Sequence, residues 1–176
     1  SRGAEAINAA FLDMIPHLST FPDVYFVYVS GQVHYERILQ QVERHLARCP
    51  DVRRQLTVLP FLDEMPEVLA ASTLVISRAG ATMLSELTAL GRASILIPSP
   101  HVTNNHQEKN ASWLASSGAA IMIREQDLSG PRLFTEMKQL LENPRRLSEM
   151  AQAARRLGRP DACHELCQAL AHLVRP

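Results

Sequence analysis

Apolar residues switch repeatedly along this chain between a continuous run and a helical spacing, and that alternation narrows the available folds most. The runs are Val24-Tyr25-Phe26-Val27-Tyr28-Val29, Leu56-Thr57-Val58-Leu59, Thr73-Leu74-Val75-Ile76, Ser94-Ile95-Leu96-Ile97 and Ala120-Ile121-Met122-Ile123. Each is short and rich in β-branched or aromatic residues, as a strand buried on both faces requires. Between them the spacing becomes helical. Ala6, Ile7, Ala10, Phe11, Met14, Ile15 and Leu18 predict a helix from about Glu5, and Ile38, Leu39, Val42 and Leu46 mark the next. Further helices are expected over Glu64 to Ala71, over Ala81 to Leu90 closed by Gly91, and over Asn105 to Ser117 ended by Gly118. Buried strands separated by helices predict a parallel sheet with helices on both faces, a doubly wound α/β (Rossmann-like) domain.

The strands stop after residue 125. Three helices are expected beyond it, opened by Ser129, by Asn143-Pro144 and by Pro160-Asp161, which are N-cap and first-turn signals. Each carries an apolar stripe, Leu133, Met137, Leu140 and Leu141 in one and Leu147, Met150, Ala151 and Ala154 in another. This helical tail is expected to pack on the sheet, and with no linker in sight residues 1–176 read as one domain.

At 176 residues the chain is long enough to bury roughly 70% of its unfolded surface. Its 18 basic and 18 acidic side chains cancel, which argues against nucleic acid as a partner and against an electrostatic membrane anchor. No stretch approaches the roughly 18 apolar residues of a membrane span, and no signal peptide opens the sequence. Three cysteines, an odd number, point to a reducing compartment. A soluble, cytoplasmic domain is the expectation.

Ligands of open parallel sheets bind beyond the carboxyl ends of the strands, and three segments there are chemically distinctive. Ser77-Arg78-Ala79-Gly80-Ala81-Thr82 follows a strand and enters a helix that carries Glu86. Small residues around Gly80 admit a ligand close to the backbone, and the helix start offers N–H groups to a phosphate. Glu86 would then meet two adjacent ribose hydroxyls. A plain tight turn, with Glu86 only favouring the helix dipole, explains the same residues. The second segment, Pro98-Ser99-Pro100-His101-Val102-Thr103-Asn104-Asn105-His106-Gln107-Glu108-Lys109-Asn110, holds more donors and acceptors than a connector needs, and these suit sugar hydroxyls. Helix capping by Asn104 or Asn105 is the simpler alternative. The third is Ser1-Arg2-Gly3-Ala4, whose N–H groups could also face an anion, although the chain has no G-x-G-x-x-G.

Other residues carry less. His101 and His106 lack the spacing and acidic company of a metal site. Cys163 and Cys167, with His164 between them, share a stripe with Leu166 and Leu170, so buried apolar thiols are expected rather than a metal or redox pair. His17, His34, His45 and His172 have no evident partner, and Trp113 reads as a packing residue. With no G-x-S-x-G and no Walker loop, hydrolase and P-loop chemistry are set aside.

The segments Ile76-Ser77-Arg78-Ala79-Gly80-Ala81-Thr82-Met83-Leu84-Ser85-Glu86-Leu87 and Ile97-Pro98-Ser99-Pro100-His101-Val102-Thr103-Asn104-Asn105-His106-Gln107-Glu108-Lys109-Asn110-Ala111 closely resemble the MurG family. These are the UDP-N-acetylglucosamine:lipid I N-acetylglucosaminyltransferases of peptidoglycan synthesis. Ser1-Arg2-Gly3-Ala4 resembles the end of the family's glycine-rich loop without its strand and leading glycines, and Phe61-Leu62-Asp63-Glu64-Met65 and Pro160-Asp161-Ala162 also fit.

The resemblance implies the C-terminal, donor-binding domain of a GT-B transferase, with the acceptor-binding N-terminal domain absent from the chain. It implies that Ser1 contacts the pyrophosphate and that the Leu62 backbone meets the uracil. Ala81, Thr82 and Met83 would line the phosphate end of the helix, Glu86 would hold the ribose, and His106 and Gln107 the sugar hydroxyls. Met83 stands where members commonly carry Thr, which leaves Thr82 as the neighbouring hydroxyl. No catalytic residue, cofactor or obligatory metal is implied for this half. The partners implied are UDP-N-acetylglucosamine here, and lipid I and the membrane through the other domain. A natural half-enzyme of a two-chain transferase and a non-catalytic nucleotide-sugar-binding module stay open as alternatives. A related epimerase shares the architecture, but its acidic catalytic pattern is not found here.

Overall fold

A computed structural model describes residues 5–174. Helix α1 (Glu5–Met14) runs into a short 3-10 turn, followed by β1 (Phe26–Val29), α2 (Tyr35–Leu46), β2 (Leu56–Leu59), α3 (Met65–Ala71) and β3 (Leu74–Ser77). Then come α4 (Ala81–Leu90), β4 (Ala93–Leu96), α5 (His106–Ser116), β5 (Ala120–Met122), α6 (Gly130–Leu141), α7 (Pro144–Leu157) and α8 (Ala162–Val174). All strand pairs are parallel: β1 with β2, and β3 with β4 with β5.

Alternation along β4 shows how the two faces are filled. Ala93, Ile95 and Ile97 enter one core with side chains of α1, α2 and α6, whereas Leu96 enters a second core built by α3, α4 and α5. Successive side chains on a strand point to opposite faces, and cover on both faces buries every residue of β4, Ser94 included. Helix α7 serves both cores, Leu147 and Met150 in the first and Ala153 and Ala154 in the second. In the first core Phe11 stacks on Tyr28 with ring centroids 3.8 Å apart. The doubly wound α/β expectation is met.

The helix ends follow local chemistry. Gly91 closes α4 at φ 63, a left-handed position where glycine avoids the steric cost other residues carry. Ser129 and Asn143 cap α6 and α7, each accepting a backbone N–H three residues on.

The structure departs from the sequence reading in several places. The parallel pairing falls into two sections, β1-β2 and β3-β4-β5, with no ladder joining β1 to β3 among the described residues. One face of the β1-β2 section is also open, since Val27 and its register partner Thr57 are both exposed. Helix α3, only 7 residues long, packs against α4 and leaves them uncovered.

The tail divides. Helices α6 and α7 pack as expected, but α8 leaves its stripe in solvent: Leu166 is 61% exposed, Leu170 53%, and Cys163 and Cys167 are exposed too. The expectation of buried thiols is therefore wrong, because an amphipathic spacing shows that a face wants cover but not what covers it. Trp113, at 54% exposed, is likewise no core residue, since Ala111 and Leu114 take the inward face of α5. Among the described residues, no helix is long and apolar enough to cross a membrane.

Candidate functional site

The loops that follow β2, β3, β4 and β5 leave the carboxyl ends of parallel strands, so the topology gathers the distinctive segments on one rim. The start of α1 belongs there as well. Ala6 shares a cavity of about 490 Å³ with Pro98, Ser99, Pro100, Asn105, Glu108, Arg124, Glu125 and Gln126. Ser1 lies outside the described residues. A second cavity, of about 580 Å³, lies between α1 and α2.

After β3, the chain turns through Arg78, Ala79 and Gly80 into α4. Gly80 occupies the N-cap position at φ −72 and ψ 145, and no side chain caps the helix. The first-turn N–H groups, those of Ala81, Thr82 and Met83, therefore lack intrahelical partners and point at the rim. Ala81 and Thr82 are exposed, whereas Met83 packs against the second core, so only its backbone can serve a ligand. A helix N-terminus of this kind favours an anion by about 0.3–1 kcal/mol when exposed. Glu86 lies further along α4, half-buried, and makes no side-chain hydrogen bond or ion pair among the described residues. An unengaged carboxylate beside an uncapped helix start suits adjacent hydroxyls better than structural use.

The loop after β4 is strongly organised by its own side chains. Gln107 accepts a hydrogen bond from Ser99 N at 2.9 Å through Oε1. His106, the first residue of α5, sets Nδ1 2.9 Å from the Thr103 carbonyl oxygen. Asn104 and Asn105 sit at φ 56 and 51. Left-handed backbone of this kind is disfavoured for L residues, asparagine being among the best tolerated. Asn105 does not cap α5; its side-chain amide goes to Glu108. Asn110 donates to the Ala79 carbonyl at 3.3 Å, tying α5 to the Gly80 turn.

Leu62 lies half-buried in the loop between β2 and α3, at the same rim. Among the described residues its backbone joins none of the hydrogen bonds that fasten the neighbouring turns.

Sequence reasoning missed the loop after β5. Arg124 donates through Nε to Glu108 Oε1 at 2.7 Å, and Glu125 pairs with Arg78. Arg78 also donates to the carbonyls of Ile97 and Pro98, at 3.1 and 3.2 Å. Two hydrogen bonds, from Asn105 and then from Arg124, hold the Glu108 carboxyl below its ordinary range. No motif in the sequence marks these pairs; each joins residues that only the folded sheet brings together. Among the described residues no cluster of three His, Cys, Asp or Glu side chains assembles.

Fold and rim together define a doubly wound α/β domain with its distinctive loops at the carboxyl ends of parallel strands, beside an uncapped helix N-terminus. Comparison with known proteins makes this particular: the chain belongs to the glycosyltransferase family 28 C-terminal domain family, whose model matches residues 1–166. It is 48% identical over 166 residues to a UDP-N-acetylglucosamine–N-acetylmuramyl-(pentapeptide) pyrophosphoryl-undecaprenol N-acetylglucosamine transferase of Halalkalibacterium halodurans, covering 94% of this chain and 44% of that protein. The transferase of the same name from Exiguobacterium sibiricum is 47% identical, covering 99% of the chain and 45% of the relative. The chain thus spans less than half the length of these relatives.

Among solved structures, Acinetobacter baumannii MurG superposes with a TM-score of 0.78 at 27% identity, covering 97% of this chain and 47% of the other. A putative UDP-N-acetylglucosamine 2-epimerase from Listeria monocytogenes, at TM-score 0.68 and 18% identity, covers 94% of this chain and 40% of the other, and shares the fold.

Proposed function

We propose that this chain is the donor-binding half of an inverting N-acetylglucosaminyltransferase, and that its rim holds UDP-N-acetylglucosamine. The carrying observation is the pairing of the uncapped α4 start with an unengaged Glu86 one turn and a half further on. The N–H groups of Ala81, Thr82 and Met83 take the diphosphate, and Glu86 takes the ribose. The Leu62 backbone takes the uracil edge, and His106 and Gln107 take the sugar hydroxyls. Ser1 belongs to the phosphate end in this reading. The names of the relatives support the donor, and the family's C-terminal designation supports a second, preceding half.

In the intact enzyme the acceptor hydroxyl oxygen of lipid I attacks the anomeric carbon from the face opposite the leaving group. The bond from that carbon to the diphosphate oxygen breaks, with inversion, and lipid II and UDP result. The hydroxyl proton passes to a base on the preceding half. The developing negative charge on the diphosphate is met here by helix N–H dipoles fixed before reaction, which needs no resident metal or cofactor. Acceptor binding and membrane contact belong to the preceding half, with the enzyme peripheral on the cytoplasmic face of the membrane.

The open edges of β1 and β3 support a further strand from that preceding segment, running parallel between them and turning into α1 at the rim. Adding it should slow amide exchange in both strands; unchanged exchange would contradict the placement. The function itself is tested by transfer of labelled N-acetylglucosamine to lipid I by the full-length protein. Glu86→Ala should sharply reduce transfer while the protein stays folded, and undiminished transfer would refute the assignment.

A further inference from the structure

We propose that Glu108 is a positioning residue: clasped by Arg124, it fixes the left-handed turn at Asn105 and so presents His106 and Gln107 to the sugar. The inference deepens the donor-binding reading and rests on it for the identity of the sugar.

Three observations carry it. Asn104 and Asn105 are consecutive residues in left-handed conformation immediately before α5, a backbone that must be held from outside. The hold is visible: the Asn105 side-chain amide donates to Glu108 Oε2, and Arg124 Nε donates to Oε1 at 2.7 Å. Both carboxylate oxygens are therefore used. Arg124 is in turn anchored to the sheet, because it follows Ile123, whose N–H bonds the Leu96 carbonyl at 2.9 Å. The neighbouring Glu125 grips Arg78, which itself bonds the carbonyls of Ile97 and Pro98. Two adjacent residues after β5 thus hold the loops after β3 and β4 in fixed relation. An acidic residue in a first helical turn needs none of these partners to favour the dipole, and an exposed ion pair adds little to global stability. Loop geometry is what the arrangement serves.

The test compares wild type with Glu108→Gln, Arg124→Ala and Arg124→Lys. Amide hydrogen exchange over residues 103–107 is read without ligand, together with thermal midpoints and calorimetric affinities for UDP and for UDP-N-acetylglucosamine. Midpoints should barely move, while exchange at 103–107 accelerates in Glu108→Gln and Arg124→Ala and less in Arg124→Lys. Affinity for UDP-N-acetylglucosamine should fall by about five- to tenfold, the worth of one ordinary hydrogen bond to the misplaced loop, with UDP affinity unchanged. Unchanged exchange in Glu108→Gln overturns the proposal whatever binds. Equal weakening of both ligands overturns it too, since that places Glu108 at the nucleotide. A wild type that binds neither ligand refutes the donor reading instead, and the exchange result still decides whether Glu108 fixes the loop.

Discussion

The side chain of Gln107 turns back on its own loop, its Oε1 accepting from Ser99 N at 2.9 Å, which leaves its amide NH2 as the group available to a ligand. The sugar should therefore meet Gln107 as a donor. Gln107→Glu keeps the acceptor for Ser99 but loses the NH2, so it should weaken UDP-N-acetylglucosamine while the 98–101 turn keeps its amide protection. Gln107→Ala should lose both, and with them the preference for N-acetylglucosamine over glucose. Equal discrimination in all three proteins would remove Gln107 from the sugar site.

Glu86, on α4, should behave differently. A carboxylate bonded to two ribose hydroxyls acts on nucleotide and nucleotide sugar alike. Glu86→Ala should weaken UDP and UDP-N-acetylglucosamine together by at least about 100-fold, two charge-assisted hydrogen bonds being worth about 1.5–3 kcal/mol each. Its thermal midpoint should stay near wild type, because no described hydrogen bond or ion pair depends on this side chain. Calorimetry with both ligands checks this, and a loss confined to the sugar nucleotide would contradict it.

Gly158 transmits stability to the site. A Cβ there would stand 2.5 Å from the Thr88 carbonyl oxygen and 2.7 Å from its carbon, backbone atoms of the helix that presents Thr82 and Glu86. Gly158→Ala should cost about 1–3 kcal/mol by overpacking. At roughly 2–4 °C per kcal/mol for a domain of this size, the midpoint should fall several degrees. Donor affinity should fall with it as α4 shifts away from α7. A midpoint at the wild-type value would show that the two helices can separate freely.

Tyr28 gives the fold a pH dependence. Burial beneath α1 raises its phenol well above the ordinary 10.0, and its hydroxyl donates to Asn8. The protonated form is thus favoured in the folded state. Its contribution is complete below about pH 10 and is lost as pH rises from there toward the folded value. Tyr28→Phe should lose about 1 kcal/mol near neutral pH through the broken bond to Asn8. Its urea midpoint should then decline less steeply than wild type between pH 9 and 11, and parallel declines would exclude Tyr28 as the cause.

How far the sequence carried this picture depended on the range of the signal. Strand β2 and helix α4 fall on the boundaries read from Leu56 to Leu59 and from Ala81 to Leu90, because spacing and a glycine stop at Gly91 are local. Strand β1 came out shorter than its apolar run, since Val24 and Tyr25 precede the paired residues. The stripe of α8 was legible as a stripe, but its exposure was not. Gln107 and Glu86 stood out through their motifs. Arg124 and Glu108, 16 residues apart on different elements, form a pair that only the parallel register of β4 and β5 creates.

The central claim is that this domain holds a uridine-diphosphate sugar, and calorimetric titration of UDP-N-acetylglucosamine and UDP-glucose into the chain tests it most directly. Saturable binding of both is expected, tighter for the N-acetylglucosamine nucleotide, with affinity for both at least about 100-fold weaker in Glu86→Ala. Binding that persists unchanged in Glu86→Ala would contradict the site described here, and a folded wild type that takes up neither nucleotide sugar would contradict the function.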